Sequence, residues 1–155
     1  MIDVGQKAPN FSAPNNKKEM TTLDQFKGKK VVLAFFPAAF TGVCEKEMCS
    51  FRDISELNGA DAQVIAVSVD APFSNNAFAE KTKSTFPFLS DYTRAMVKAY
   101  GVELENFAGM AGYTAAKRSI FVIDREGVVR WTWVGPNPGV EPDYAEVKKQ
   151  VAALS

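Results

Sequence analysis

Apolar positions along this chain follow two rhythms. VVLAFF (31–36) and QVIAVSVD (63–70) are almost continuously apolar. Their length and β-branched content suit strands buried on both faces. SIFVID (119–124) and VVRWTWVG (128–135) flank the turn Arg125-Glu126-Gly127 and read as a hairpin. Trp131 and Trp133 alternate with Thr132, so they share one face. FPFLSD (86–91) is short and extended. Other segments carry a helical period. Thr41 to about Asn58 is expected to be a helix, with Thr41 as its cap and Met48, Phe51, Ile54 and Leu57 as its apolar stripe; Gly59 stops it. Residues 73–83 form a second expected helix, capped by Ser74, and 94–102 a third, ended by Gly101. A fourth, 144–154, aligns Tyr144, Val147, Val151 and Leu154. Residues 1–30 are turn-rich, with Phe11 and Leu23 as anchors to a core, and 104–116 read as a loop.

Buried strands linked by helices imply parallel pairing, and the late hairpin adds antiparallel strands. The expectation is an α/β sandwich, with a mixed central sheet flanked by helices on both faces, compatible with a thioredoxin-like fold. A chain of 155 residues without repeats or low-complexity stretches fits one domain over 1–155.

Composition narrows the function classes. Eighteen basic residues balance eighteen acidic ones, and the basic clusters at 17–19 and 27–30 flank turns. A generic polyanion binder needs clustered positive charge, so no nucleic acid partner is expected. No apolar run approaches a membrane span, and the first residues carry no signal-like core, so the expected setting is cytoplasmic, with no membrane partner. The chain has two cysteines and no histidine. That excludes Ser-His and Cys-His nucleophile pairs, a histidine ligand and a histidine base. Two cysteines alone do not make a structural zinc site, and no metal or cofactor is expected.

The cysteines lie in FFPAAFTGVCEKEMC (35–49). If a helix begins near Thr41, Cys44 sits in its first turn, where free N–H groups and the positive dipole end favour a thiolate. Cys44 could equally be a small core residue. Pro37 could merely end the strand or roof the thiol. Thr41 could be a plain cap or reach whatever binds beside Cys44. Arg118 by itself reads as a strand-edge charge, and Glu47 as a solvated helix carboxylate. Five residues along a helix advance about 7.5 Å and turn about 500°, leaving roughly 140° between the side chains of Cys44 and Cys49. Their Cα atoms then stand roughly 8.7 Å apart, too far for a disulfide. Either Cys49 is passive or the helix opens.

PAAFTGVC (37–44) has the spacing of proline, threonine and cysteine that marks peroxiredoxins, and the chain resembles that family nearly end to end. VGQKAPNF resembles its opening segment, LSDYTRAMVKAYGV its middle region, and KRSIFVIDREGVV the segment bearing its active-site arginine, here Arg118. AFTGVC is most similar to the alkyl hydroperoxide reductase E type. The Cys44/Cys49 spacing is most similar to the Q type, or bacterioferritin comigratory proteins.

The resemblance implies a thiol-dependent peroxidase acting on hydrogen peroxide and alkyl hydroperoxides. It makes Cys44 the peroxidatic cysteine, oxidised to a sulfenic acid, with Arg118 and the N–H groups of Val43 and Cys44 stabilising the developing charge. Thr41 would orient the peroxide, Pro37 would shield the sulfur, and Glu47 would steady Arg118. Q-type likeness implies that Cys49 resolves the sulfenic acid after local unfolding; the E type uses an external thiol. Thioredoxin, a glutaredoxin-like protein or a small thiol would be the reductant. The E type is a dimer and the Q type often a monomer; a homodimer packed near Phe40 is the expectation. Two other readings are a Cys-x-x-Cys disulfide reductase, whose motif is absent, and a redox sensor or chaperone module using the same cysteine.

Overall fold

The computed structural model describes residues 1–155. Its centre is a five-stranded mixed sheet. The strands are β3 (Lys30–Phe35), β4 (Ala62–Ser68), β5 (Phe88–Ser90), β8 (Ser119–Ile123) and β9 (Val129–Val134), in the order β5-β4-β3-β8-β9. β3 pairs parallel to β4 and antiparallel to β8; β4 pairs parallel to β5, and β8 antiparallel to β9. The two continuous apolar runs are thus the central parallel pair, buried on both faces. The mixed sheet and hairpin appear as expected, with a register shift at Val122/Ile123.

Alternate residues of each strand feed two separate cores. Val32, Ala34, Val64, Ala66, Ile120 and Val122 face α1 (Gly42–Arg52), α2 (Pro72–Thr82) and α4 (Tyr144–Ala152). Leu33, Phe35, Ile65, Val67 and Phe121 face α3 (Ala95–Ala99) and the N-terminal region. Phe11 and Leu23 are buried there, as anchors should be, and both tryptophans pack against the first of these cores. No helix is long and apolar enough to cross a membrane.

Local details depart from expectation at element ends. The first helix stops at Arg52, followed by a single 3-10 turn over Ser55–Leu57. Met48, Phe51 and Leu57 are still buried. α2 begins one residue earlier than expected, with Pro72 in its first turn, so Ala71 and not Ser74 is its cap. Proline supplies a preset φ where no intrahelical N–H is required. α3 is one turn long, and α4 is capped by Asp143, which accepts from Glu146 N–H at 3.2 Å. Two minute sheets were not expected: β1 (Ser12–Pro14) with β2 (Met20–Thr22), and β6 (Glu103–Leu104) with β7 (Ala115–Ala116), which bracket the expected loop.

Candidate active site

The site forms where β3 ends and α1 begins. Phe36 N–H donates to Val67 O at 2.9 Å, Pro37 is buried directly behind it, and the chain turns through Ala39 and Phe40 into the helix. Phe40 has φ of 66°, a left-handed conformation costly for a bulky residue. Thr41 is the first-turn cap in backbone position only. Its hydroxyl donates to Ala38 O at 2.9 Å and makes no capping bond. The first intrahelical bond runs from Glu45 N–H to Thr41 O (3.0 Å), so the N–H groups of Val43 and Cys44 belong to the open end of the helix.

Cys44 is fully buried beneath this turn, and Arg118, from the residue before β8, meets it there. The guanidinium is almost completely buried and makes four hydrogen bonds. Nη2 donates to Cys44 Sγ (3.1 Å) and Pro138 O (2.9 Å), Nε to Pro138 O (3.1 Å), and Nη1 to Glu47 Oε1 (2.8 Å). Four of its five N–H groups are therefore committed, leaving one on Nη1. Glu47 lies one helical turn beyond Cys44 and is fully buried, not a solvated helix carboxylate. Its Oε2 is buried without a hydrogen-bond partner. Burial pushes Glu47 up to about 7, against the pull of the Arg118 charge, and nearby Glu141 pushes in the same direction as burial.

One guanidinium thus faces two acidic groups on the same helix face, a carboxyl and a thiol. The Cys44 sulfur is in direct contact with a buried positive charge, at the open N-terminal end of α1. The chain has no histidine, and this pairing is what the site offers instead.

Cys49 stands farther along the same unbroken helix, half-buried, and both cysteines are free thiols. α1 is fastened to α2 near both of its ends. Glu45 pairs with Lys81 at 2.7 Å, the Lys81 ammonium lies 5.7 Å from the Phe40 ring centroid, and Arg52 Nη1 donates to Thr82 O at 2.7 Å.

Residues 4–132 match the AhpC/TSA family. The chain belongs to the AhpC/TSA family. It is 40% identical over 147 residues to a putative peroxiredoxin bcp of Coxiella burnetii, covering 94% of this chain and 96% of that one. It is 36% identical over 159 residues to alkyl hydroperoxide reductase E of Mycobacterium tuberculosis, covering 100% and 99%. In structure it resembles peroxidoxin BcpB of Mycobacterium tuberculosis, with a TM-score of 0.87 and 25% identity over 100% of this chain and 99% of that one. These AhpC/TSA relationships make the chain a peroxiredoxin-type, thiol-dependent peroxidase with a thioredoxin-like fold.

Arg118 meets the buried Cys44 sulfur and Glu47 meets Arg118. Pro37, Thr41 and Val43 lie in the turn and first helical turn leading to Cys44, and Cys49 lies farther along α1. Sequence reasoning missed two participants. Pro138 acts through its backbone carbonyl, which no side-chain pattern reveals. Asp70, just past β4, accepts from Ala39 N–H at 2.8 Å and braces the loop from the side. Its signal was the polar SVD ending of an otherwise apolar strand.

Proposed function

We propose that this peroxidase reduces hydrogen peroxide and alkyl hydroperoxides at Cys44. The single observation that carries the reading is the 3.1 Å contact between Arg118 Nη2 and Cys44 Sγ. The Cys44 thiolate attacks the nearer peroxide oxygen, and the O–O bond breaks. Sulfur is oxidised to the sulfenic acid, and the departing oxygen takes a proton to leave as water or an alcohol. Negative charge spreads over sulfur and two oxygens. The remaining Nη1 proton of Arg118 and the N–H groups of Val43 and Cys44 stabilise it, as an oxyanion hole does. With its proton given to Ala38 O, the Thr41 hydroxyl presents lone pairs to the peroxide O–H. Pro37 keeps water from the sulfur, and Glu47 holds the guanidinium in plane.

Cys49 resolves the sulfenic acid: its sulfur bonds to Cys44 and water leaves. The uninterrupted helix supports the accompanying requirement that the first turns of α1 unwind beforehand. Thioredoxin, a glutaredoxin-like protein or a small thiol then returns two electrons, in a cytoplasmic setting that keeps thiols reduced. Phe40, 49% exposed beside the thiol, supports a homodimer packed on that face. A dimer in sedimentation that becomes monomeric in Phe40→Ser would agree; an unchanged state would not.

The function is tested by peroxide consumption with wild type, Cys44→Ser and Cys49→Ser, offering each reductant in turn. Consumption should vanish in Cys44→Ser. In Cys49→Ser it should fail with thioredoxin and recover with small thiols. Undiminished turnover in Cys44→Ser would refute the reading.

A further inference from the structure

The loop that precedes Cys44 is held in a costly conformation, and the structure contains a device that accounts for it. Phe40 occupies the left-handed region with φ of 66°. Bulky residues persist there only where surrounding contacts over-determine the backbone. On one side of Phe40, the Thr41 hydroxyl closes back on Ala38 O. On the other, Ala39 N–H is bound to Asp70 Oδ2 at 2.8 Å.

Asp70 is itself fixed by a buried polar network at the ends of β4 and β5. Ser68 Oγ lies 2.7 Å from Asp70 Oδ2 and 3.1 Å from Asn75 Oδ1, and it accepts from Asp70 N–H at 3.3 Å. Asn75 Nδ2 donates to Leu89 O at 3.4 Å, and Ser90 Oγ donates to the Asp70 carbonyl. Ser68, Asn75 and Ser90 are all buried. Three buried polar side chains need partners, and here their hydrogen bonds link into one network around Asp70: Ser68 holds its carboxylate, Ser90 its backbone carbonyl, and Asn75 braces Ser68. Apart from its near neighbour Ser68, that carboxylate bonds only Ala39 N–H, in the loop leading to the nucleophile.

We propose that Asp70 is a positioning residue for peroxide reduction: by holding Ala39 N–H, it fixes the turn through Phe40 and thereby aligns the Thr41 hydroxyl and the open N–H groups of Val43 and Cys44 with the incoming peroxide. The proposal rests on the reading of Cys44 as the nucleophile. It concerns alignment of the peroxide and not the intrinsic reactivity of the sulfur. Loosening the loop should therefore penalise a reaction that needs the aligned Thr41 and N–H groups, and spare one that needs only the thiolate.

The test compares two rates in Asp70→Ala, Asp70→Asn and wild type: oxidation of Cys44 by hydrogen peroxide and its alkylation by iodoacetamide. In Asp70→Ala, oxidation should slow about 10- to 100-fold, as expected when reacting groups are displaced by about an ångström. Alkylation should stay near the wild-type rate. Asp70→Asn keeps an oxygen for Ala39 N–H but loses the charge that strengthens the bond, so its loss should be intermediate, about 3- to 10-fold. If the alanine variant does not fold, the asparagine variant decides by the same ratio. A wild-type ratio of the two rates in both folded variants, or in the asparagine variant alone if only it folds, would overturn the proposal. Persistent peroxide consumption in Cys44→Ser would instead overturn the assignment of the nucleophile, so the two failures are distinguishable.

Discussion

Arg118 joins Cys44 and Glu47 from above, 3.1 Å from the sulfur and 2.8 Å from the carboxylate, with almost none of the guanidinium exposed. The arginine arrives from 71 positions along the chain from Glu47 and 74 from Cys44. The proposed role of Arg118 in peroxide reduction and its role in stability therefore meet at one side chain, and they should respond differently to its removal.

Arg118→Met strips the transition state of its cation and leaves Glu47 buried without a partner. Peroxide oxidation should fall about 100- to 1000-fold, the scale of a lost oxyanion donor. Unfolding free energy should fall by about 3 kcal/mol, the cost of breaking a buried pair from one side. Adding Glu47→Gln should restore most of the stability and none of the rate. Denaturant melts and stopped-flow oxidation measure the two separately.

Glu47 makes stability depend on pH. Its folded value, pushed up to about 7 by burial, lies above the ordinary carboxylate value of 4.5 that the unfolded chain retains. The folded state therefore holds the proton more tightly. This contribution is complete below about 4.5 and is lost as pH rises through about 7. Melting temperatures of wild type should decline from pH 5 to 8 relative to those of Glu47→Gln, in which this titration is absent. Parallel curves would show that Glu47 keeps an ordinary value.

Unwinding of α1 is required for a Cys44–Cys49 bond, and the Glu45–Lys81 pair opposes it. The Lys81 side chain is 58% exposed, so the pair is worth at most about 1 kcal/mol. Lys81→Ala should then speed disulfide formation after oxidation by no more than about fivefold. Arg52, which anchors the far end of the helix to Thr82 O, lies beyond Cys49, and Arg52→Ala should alter that rate less. Rapid-quench alkylation followed by peptide mapping gives both rates.

Thr41 separates two roles by one methyl exchange. Thr41→Ser keeps the hydroxyl and should retain most of the peroxide rate. Thr41→Val keeps the shape and removes the oxygen, both as donor to Ala38 O and as acceptor for peroxide. Its rate should fall about 100-fold. Equal rates in the two variants would remove Thr41 from peroxide orientation.

The architecture was legible where burial imposes a simple pattern. VVLAFF and QVIAVSVD read as buried strands and are the central parallel pair, and Met48 and Phe51 of the expected stripe place α1 on the sheet. β1, β2, β6 and β7 were not legible, because pairs of two or three residues carry no periodicity. Helix ends slipped where local chemistry outweighed the stripe, as at Pro72, and at Arg52, where the α-helix gives way to a 3-10 turn. In the site, PAAFTGVC and Arg118 stood out by resemblance to a family. The burial of Glu47 did not, since a carboxylate following Glu45 and Lys46 looks solvated until a distant arginine covers it. Pro138 acts through its backbone carbonyl, and the Asp70 carboxylate takes hold of a backbone N–H at Ala39, a pairing that sequence composition does not report.

The most direct test of Cys44 as the reacting nucleophile is mass spectrometry of Cys49→Ser after one equivalent of hydrogen peroxide and a sulfenic acid trap. Peroxide reduction at Cys44 predicts the adduct on the peptide containing Cys44, in proportion to peroxide consumed. Peroxide consumed while that peptide stays unmodified would contradict it.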